Sequence, residues 1–399
     1  MKKKQQWMKF RHRVIRNLAF AVLYPLSRGR YGITVEKFKE QGDRAYLILM
    51  NHQTAFDQFF AGMAFSGPVY YVASEDLFSK GWVSSLIRWL VAPIPIKKQT
   101  TDPRAVMTCI RVAREGGTIA IAPEGNRTYS GKTEYMNPAI AALAKKIKLP
   151  IALYRIEGGY GAHPRWSDTV RKGKMRGYVS EVIEPEEFAK MTDDALYERI
   201  KTGLFIDEGV DDARFTGNKR AEYLERAYYV CPFCGLSTFE SHGNEVTCTK
   251  CNRSSSYGED KRLTGDLPFS FTTEWYTYQQ DLINKLDVTK MTATPLYREK
   301  AALSKVLVYD RKIPLREEAS IALYGDRITV DEKGADPLIF PFETLSAVTV
   351  LGRNKLNIYF GDDLYQLKGD KRFNALKYVN IFYRYKNITK DDPSGFLGI

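Results

Sequence analysis

Cysteine and histidine are scarce in this chain, with five and four copies among 399 residues. Five cysteines cannot staple a chain of this length, which excludes a secreted disulfide scaffold. No Gly-x-Ser-x-Gly is present, so a serine nucleophile elbow has no support. Acidic residues are missing from the N-terminus, where the first is Glu36, while residues 1–30 hold nine Lys or Arg. A long apolar run is missing too. The one candidate segment, Trp7–Leu26, contains an uncharged stretch from Asn17 to Ser27. As a helix that stretch reaches only about 16 Å, against a hydrocarbon core of roughly 30 Å. It cannot span a membrane. No small-x-small cleavage site follows Leu26, which argues against a signal peptide.

What is present is a globular composition, 44% hydrophobic and 27% charged, long enough for two or three domains. The formal charge of +13 lies wholly in residues 1–200, and residues 201–399 sum to zero. A basic N-terminal half implies an anionic partner. Within it Trp7, Phe10, Val14, Leu18 and Ala21 keep helical spacing among Lys9, Arg11, Arg13 and Arg16, and Pro25 and Arg28 close the pattern. This predicts an interfacial helix over 1–30 with its apolar face in the headgroup layer. The alternative is a helix packed on the protein's own core.

Residues 44–153 alternate short apolar runs with helical patterns. Arg44–Met50, Pro68–Ala73, Thr118–Ala122 and Pro150–Arg155 read as buried strands; Gln53–Phe65, Val83–Val91, Arg104–Glu115 and Asn137–Lys146 read as helices. This predicts an α/β domain over about 31–215, closed by a helix within the acidic stretch Glu181–Glu198. The composition changes at Tyr229. Cys231-Pro-Phe-Cys234 and Cys248-Thr-Lys-Cys251 bracket 13 residues and predict a zinc ribbon over 226–262. Thiolate pairs two residues apart form knuckles that supply four tetrahedral ligands to one structural Zn²⁺, a closed shell that does not need His242. A helical linker follows over 263–302.

The last unit, 303–390, is β-rich. Gly325-Asp326 and Gly361-Asp362 each sit between alternating residues as hairpin turns, and Phe373–Tyr385 ends the pattern as a helix. Short strands with a single terminal helix resemble the PH and GRAM superfold. Lys371, Arg372, Lys377, Arg384 and Lys386 are candidates for lipid headgroups there, or members of a solvated face.

Among the histidines, His52 follows an apolar strand and opens a helix that carries Asp57 five residues on. A carboxylate on one ring nitrogen fixes the tautomer and leaves the other as a base. Downstream, Thr118–Ala122 runs into Pro123-Glu124-Gly125-Asn126-Arg127-Thr128, which presents a carboxylate, a flexible glycine and a guanidinium at one sheet edge. Arginine can donate two parallel hydrogen bonds to phosphate; the plainer reading is a surface ion pair between Arg127 and Glu124. Gly125 to Thr133 is not a P-loop, because five residues separate its glycines where four are required. Cys109, the unpaired cysteine, has an apolar helical context and reads as core.

Taken in order, Asn51-His52-Gln53-Thr54-Ala55-Phe56-Asp57, Ile94-Pro95-Ile96-Lys97-Lys98, Pro123-Glu124-Gly125-Asn126-Arg127-Thr128 and Leu149-Pro150-Ile151-Ala152 resemble the four blocks of the glycerolipid acyltransferase family. The likeness, over about residues 40–200, is notably to the 1-acylglycerol-3-phosphate acyltransferases. The resemblance implies a membrane-associated α/β fold, and the basic helix over 1–30 predicts a peripheral or monotopic seat on the cytoplasmic face of the cell membrane. The resemblance also implies acyl transfer from an acyl-CoA or acyl carrier protein thioester to a lysophospholipid hydroxyl, with an anionic membrane surface as partner and no nucleic acid. His52 then corresponds to the base and Asp57 to its orienting carboxylate. Glu124, Gly125 and Arg127 correspond to acceptor binding. Where the family's second block usually ends in arginine this chain has Lys98, which can meet phosphate as a point charge but cannot fork. Two alternatives remain open: a different lysolipid or lipid-linked amine as acceptor, or a non-catalytic zinc-ribbon module that binds lipid or protein.

Overall fold

The computed structural model describes residues 7–79, 81–96, 102–307, 310–334 and 336–398. The chain divides into two units, residues 1–165 with 170–216, and residues 166–169 with 217–399.

The first unit starts with α1, Phe10–Tyr31. Pro25 lies inside this helix and does not end it; the stop is Gly32, at φ +66, whose N–H donates to the Arg28 carbonyl. Proline deletes one backbone donor but tolerates helical φ, and a left-handed cap is what glycine supplies without steric cost. One face of α1 packs on the core through Phe20, Leu23, Tyr24 and Tyr31. Phe10, Val14, Leu18, Val22 and Leu26, four residues apart, stay exposed along the other face. The helix thus packs on the core along one side and leaves an apolar stripe exposed along the other. Among the described residues, no helix is long and apolar enough to cross a membrane.

After α1 come β1 (Ile33–Val35), β2 (Leu47–Met50), α2 (Asp57–Ala64), β3 (Val69–Ser74), α3 (Trp82–Val91), β4 (Ile94–Ile96), α4 (Pro103–Arg114) and β5 (Thr118–Ile121). Then follow α5 (Ala139–Ile147), β6 (Ile151–Glu157), α6 (Gly159–Ala162), β7 (Met175–Ile183), α7 (Pro185–Phe188) and α8 (Asp193–Leu204). The sheet has the order β1-β7-β6-β2-β5-β3-β4, parallel except between β6 and β7. β2 is buried at every position, as expected of a central parallel strand covered on both faces. Residues on its two sides feed two cores. Ile48 and Met50 join Phe60, Ala152 and Tyr154; Leu47 and Leu49 join Val112, Ile140, Ile151 and Ile200. Cys109 belongs to the second core, and burial pushes its thiol up to about 12. It is a packing residue.

The second unit holds β8 (Val230–Cys231), β9 (Gly235–Leu236), β10 (Phe239–His242), β11 (Glu245–Cys248), β12 (Ser254–Tyr257), β13 (Leu263–Gly265) and α9 (Thr272–Lys285). Trp275 of α9 donates to the Val230 carbonyl at 2.8 Å and stacks on Tyr228, fixing the helix to the cysteine-bearing strands. β14 (Tyr297–Val306), β15 (Lys312–Leu323), β16 (Arg327–Val330), β17 (Leu338–Pro341), β18 (Leu345–Leu351), β19 (Lys355–Phe360) and β20 (Asp363–Gly369) precede α10 (Leu376–Lys390). These strands form one antiparallel sheet, β17-β16-β15-β14-β20-β19-β18, a half-barrel followed by α10, which buries Leu376, Val379, Ile381 and Phe382.

The basic residues proposed there for headgroups are partly committed elsewhere. Lys377 is buried and pairs with Glu299 at 2.7 Å. Arg372 pairs with Glu222 and Glu225, and Arg384 donates to the Leu286 carbonyl. Helical spacing cannot tell a solvated lysine from one whose charge a neighbouring strand neutralises.

Candidate active site and cysteine cluster

β2 and β5 are adjacent and parallel, so the segments leaving their C-terminal ends emerge side by side, where open α/β sheets place their sites. Asn51 locks the first segment, exchanging hydrogen bonds of 2.9 and 2.8 Å with the backbone of Ile156. His52 comes next. Its Nδ1 lies 2.7 Å from Asp57 Oδ2. Asp57, fully buried at the start of α2, also accepts from the backbone N–H groups of Gln53 and Thr54 and from the Thr54 hydroxyl at 2.6 Å. A carboxylate held by that many donors cannot swing away. It keeps the imidazole proton on Nδ1, so Nε2, which has no partner among the described residues, carries the free lone pair. The His52 side chain is 23% exposed and can meet a substrate.

The second segment turns at Gly125, at φ +68, where the backbone needs a residue without Cβ. Glu124 does not reach for Arg127. One oxygen accepts from the His52 N–H at 2.8 Å and the other from the Glu134 N–H at 3.3 Å. Burial pushes its carboxyl up to about 8, against the pull of those two N–H groups. Glu134, also buried, is pushed up to about 7 and accepts from the Ser130 hydroxyl at 2.6 Å. The Thr128 N–H donates to the His52 carbonyl at 3.2 Å. His52 is thus held through its N–H, its C=O and its ring, two of the three by the Pro123–Thr128 turn.

The structure brings together His52, Asp57, Glu124, Gly125 and Arg127. Lys98 lies outside the described residues. Sequence reasoning missed Arg165, which is buried, donates to the Arg127 carbonyl at 2.9 Å and covers the Tyr129 ring at 4.4 Å. It also missed Gln53, fully buried, whose side-chain amide has no partner among the described residues. A signal for Arg165 would have been a lone arginine within the glycine-rich stretch after β6.

In the other unit the sulfurs of Cys231, Cys234, Cys248 and Cys251 lie within 4.8 Å of one another, with Cys231 and Cys251 3.8 Å apart. Four thiolates about 2.3 Å from a tetrahedral Zn²⁺ would be about 3.8 Å apart, so the donor set fits that ion. His242 lies elsewhere, 3.3 Å from an Arg372 nitrogen.

A buried carboxylate, an oriented imidazole and the turn that bears Arg127 thus meet at one sheet edge. Residues 32–155 match the Acyltransferase family. A curated relative, the 1-acyl-sn-glycerol-3-phosphate acyltransferase of Bacillus subtilis, is 23% identical over 168 residues, 40% of this chain and 81% of the relative. The solved 1-acyl-sn-glycerophosphate acyltransferase PlsC of Thermotoga maritima is 22% identical and covers 48% of this chain and 75% of its own, with a TM-score of 0.39. The N-terminal PH domain of human ARAP2 matches 24% of this chain and 84% of its own at 16% identity, with a TM-score of 0.19. The N-terminal part of the chain is an acyltransferase domain. Its likeness is to the 1-acyl-sn-glycerol-3-phosphate acyltransferases.

Proposed function

We propose that the chain moves a fatty acyl group from a thioester donor, acyl-CoA or acyl carrier protein, to the free hydroxyl of 1-acylglycerol-3-phosphate, forming phosphatidic acid. The observation that carries this reading is the His52–Asp57 pair at 2.7 Å, joined through its backbone to the turn that bears Arg127.

His52 Nε2 takes the proton of the acceptor hydroxyl as its oxygen attacks the thioester carbonyl carbon. Asp57 stabilises the imidazolium that forms. The tetrahedral intermediate then collapses, the carbon–sulfur bond breaks, and the imidazolium returns its proton to the leaving thiolate. No protein nucleophile is needed, because the hydroxyl attacks directly. General base catalysis of this kind contributes about 10²–10⁴-fold. Arg127 holds the acceptor's phosphate, with Glu124 and Gly125 shaping the turn and Lys98 adding charge.

The domains divide the work: 1–30 rests on the membrane, 31–215 carries the chemistry, 226–262 is a zinc ribbon, 263–302 links it, and 303–390 is a PH-like module. The Zn²⁺, held by the four cysteines, is structural. The enzyme works as a peripheral protein on the cytoplasmic face of the cell membrane, where its acceptor resides. Purified protein given lysophosphatidic acid and each donor should form phosphatidic acid, and His52→Ala should not. Preference for a phosphate-free lysolipid would overturn the acceptor assignment and leave the reaction class standing.

A further inference from the structure

Seven of the ten residues of α3 are apolar, yet only Ser84 is buried. Trp82 is 77% exposed and Trp89 53%, with Leu86 between them at 44%. Val83, Ile87 and Leu90 are half-buried on one side, while Trp82, Leu86, Trp89 and Val91 leave an apolar surface exposed on the other, where a helix of a globular protein would carry polar residues. It does not stand alone. Arg11 of α1 donates to the Trp89 carbonyl at 2.9 Å and lies 5.1 Å from the centre of that indole. Trp7 Nε1 donates to the Ala92 carbonyl at 3.1 Å. The two helices therefore meet, and each carries an exposed apolar face.

We propose that α3 is a second lipid-inserting helix, and that together with the exposed stripe of α1 it docks on an anionic bilayer. The charge pattern selects this occupant. Neither helix contains an Asp or Glu, while Arg13, Arg28 and Arg30 of α1 and Arg88 of α3 are exposed. In a twofold dimer the same face meets its own copy, which would set these arginines against arginines with no carboxylate between them. Anionic headgroups supply the missing charge, and tryptophan favours the boundary between headgroup and hydrocarbon. The inference deepens the proposed membrane association of residues 1–30 by adding a contact that deleting them would leave behind.

The test uses the full chain and vesicles of phosphatidylcholine with about a third phosphatidylglycerol, the anionic surface on which basic residues act. Trp82→Ser and Leu86→Glu change residues that are not among those of the proposed site. Each should lower vesicle partitioning at least about tenfold, the effect of a lost ~1.4 kcal/mol. Turnover of a short-chain acceptor below its micelle concentration should stay at the parent's level. Lipids brominated in the acyl chain should quench the parent's fluorescence, and the quenching should be lost in Trp82→Phe/Trp89→Phe. Unchanged partitioning with both single variants folded, or no quenching in the parent, would overturn the proposal. So would a dimer in solution that Leu86→Glu dissociates. His52→Ala should bind vesicles like the parent, so a failed chemical mechanism and a failed docking face give different results.

Discussion

Arg165 donates a 2.9 Å hydrogen bond to the carbonyl of Arg127, and the N–H of that same peptide unit, which belongs to Thr128, donates to the His52 carbonyl at 3.2 Å. One peptide plane thus joins a buried guanidinium to the backbone of His52. Arg165 has no carboxylate partner among the described residues, so its charge faces the turn without local compensation. This makes Arg165 a positioning residue for Arg127. Arg165→Ala should raise the acceptor KM about tenfold, in line with the ~1.5–3 kcal/mol of a hydrogen bond from a charged donor, with the donor KM unchanged. Arg165→Lys should restore part of the loss, because an ammonium can donate to the carbonyl but cannot lie flat on Tyr129. Equal changes in both KM values, tracking a lower melting temperature, would reduce Arg165 to a packing role.

His52→Ala should lower kcat by at least about 100-fold, the lower end of what a positioned base contributes, with the melting temperature near the parent's. Arg127→Ala should instead act mainly on acceptor KM. Asp57→Asn should lower kcat and also destabilise, because Asp57 accepts hydrogen bonds from the backbone of Gln53 and Thr54 as well as from His52. Steady-state kinetics with each substrate varied in turn checks all three. Near-normal transfer by folded His52→Ala would refute the mechanism.

The buried Glu124 should make stability depend on pH. Its carboxyl is raised from 4.5 to about 8 by burial. Between those values the folded chain holds a proton that the unfolded chain has released, so stability is complete below 4.5 and declines as pH rises through about 8. Glu134, raised to about 7, adds in the same direction. Melting temperatures measured from about pH 5 to about pH 8.5 should fall in the parent and fall less in Glu124→Gln, which stays neutral throughout. Equal slopes in the two proteins would show that Glu124 is ionised in the folded state.

How much of this was legible depended on the range of the interaction. The strands ending at Met50 and Ile121 could be read because parallel strands buried on both faces are continuous apolar runs. His52 and Asp57 could be paired because five residues separate them across one strand-to-helix turn. β7 carries no such signal: its run Met175–Ile183 mixes buried Met175, Gly177 and Ile183 with half-buried Tyr178, Val179, Glu181 and Val182 and exposed Arg176 and Ser180, so it has neither an apolar run nor a clean period. Pro25 was taken for a stop, although proline is compatible with helical φ and the true signal, Gly32, lay seven residues on. Arg165 reaches its partner across 38 residues, a separation no local pattern records.

Lys377 carries the same lesson into stability. It is buried, 2.7 Å from Glu299, with its ammonium 4.3 Å from the Tyr297 ring centre, and Glu299 also accepts from the Tyr378 hydroxyl at 2.8 Å. Burial lowers its pKa while Glu299 opposes the shift. Lys377→Met should cost roughly 3–5 kcal/mol, because it leaves Glu299 without its cation. Lys377→Met with Glu299→Gln should recover most of that loss. Denaturant unfolding of the three proteins checks it, and an additive double variant would show that the pair is not coupled.

The cysteine cluster yields the prediction with the largest expected energy. Four sulfurs within 4.8 Å of one another, two of them buried, are costly as thiolates unless a cation neutralises them. Structural Zn²⁺ contributes about 10–16 kcal/mol in small zinc domains. Freshly purified protein should hold one zinc per chain by metal analysis, and a strong chelator should unfold the cysteine-bearing strands. Trp275 reports on that event, since its indole donates to the Val230 carbonyl beside Cys231. Cys231→Ser should lose the metal and shift this fluorescence to the red. It should leave His52 chemistry measurable, because the acyltransferase core is built from residues of the other unit. Protein that is metal-free as isolated yet keeps the parent's Trp275 emission would show that the four thiols pack without an ion.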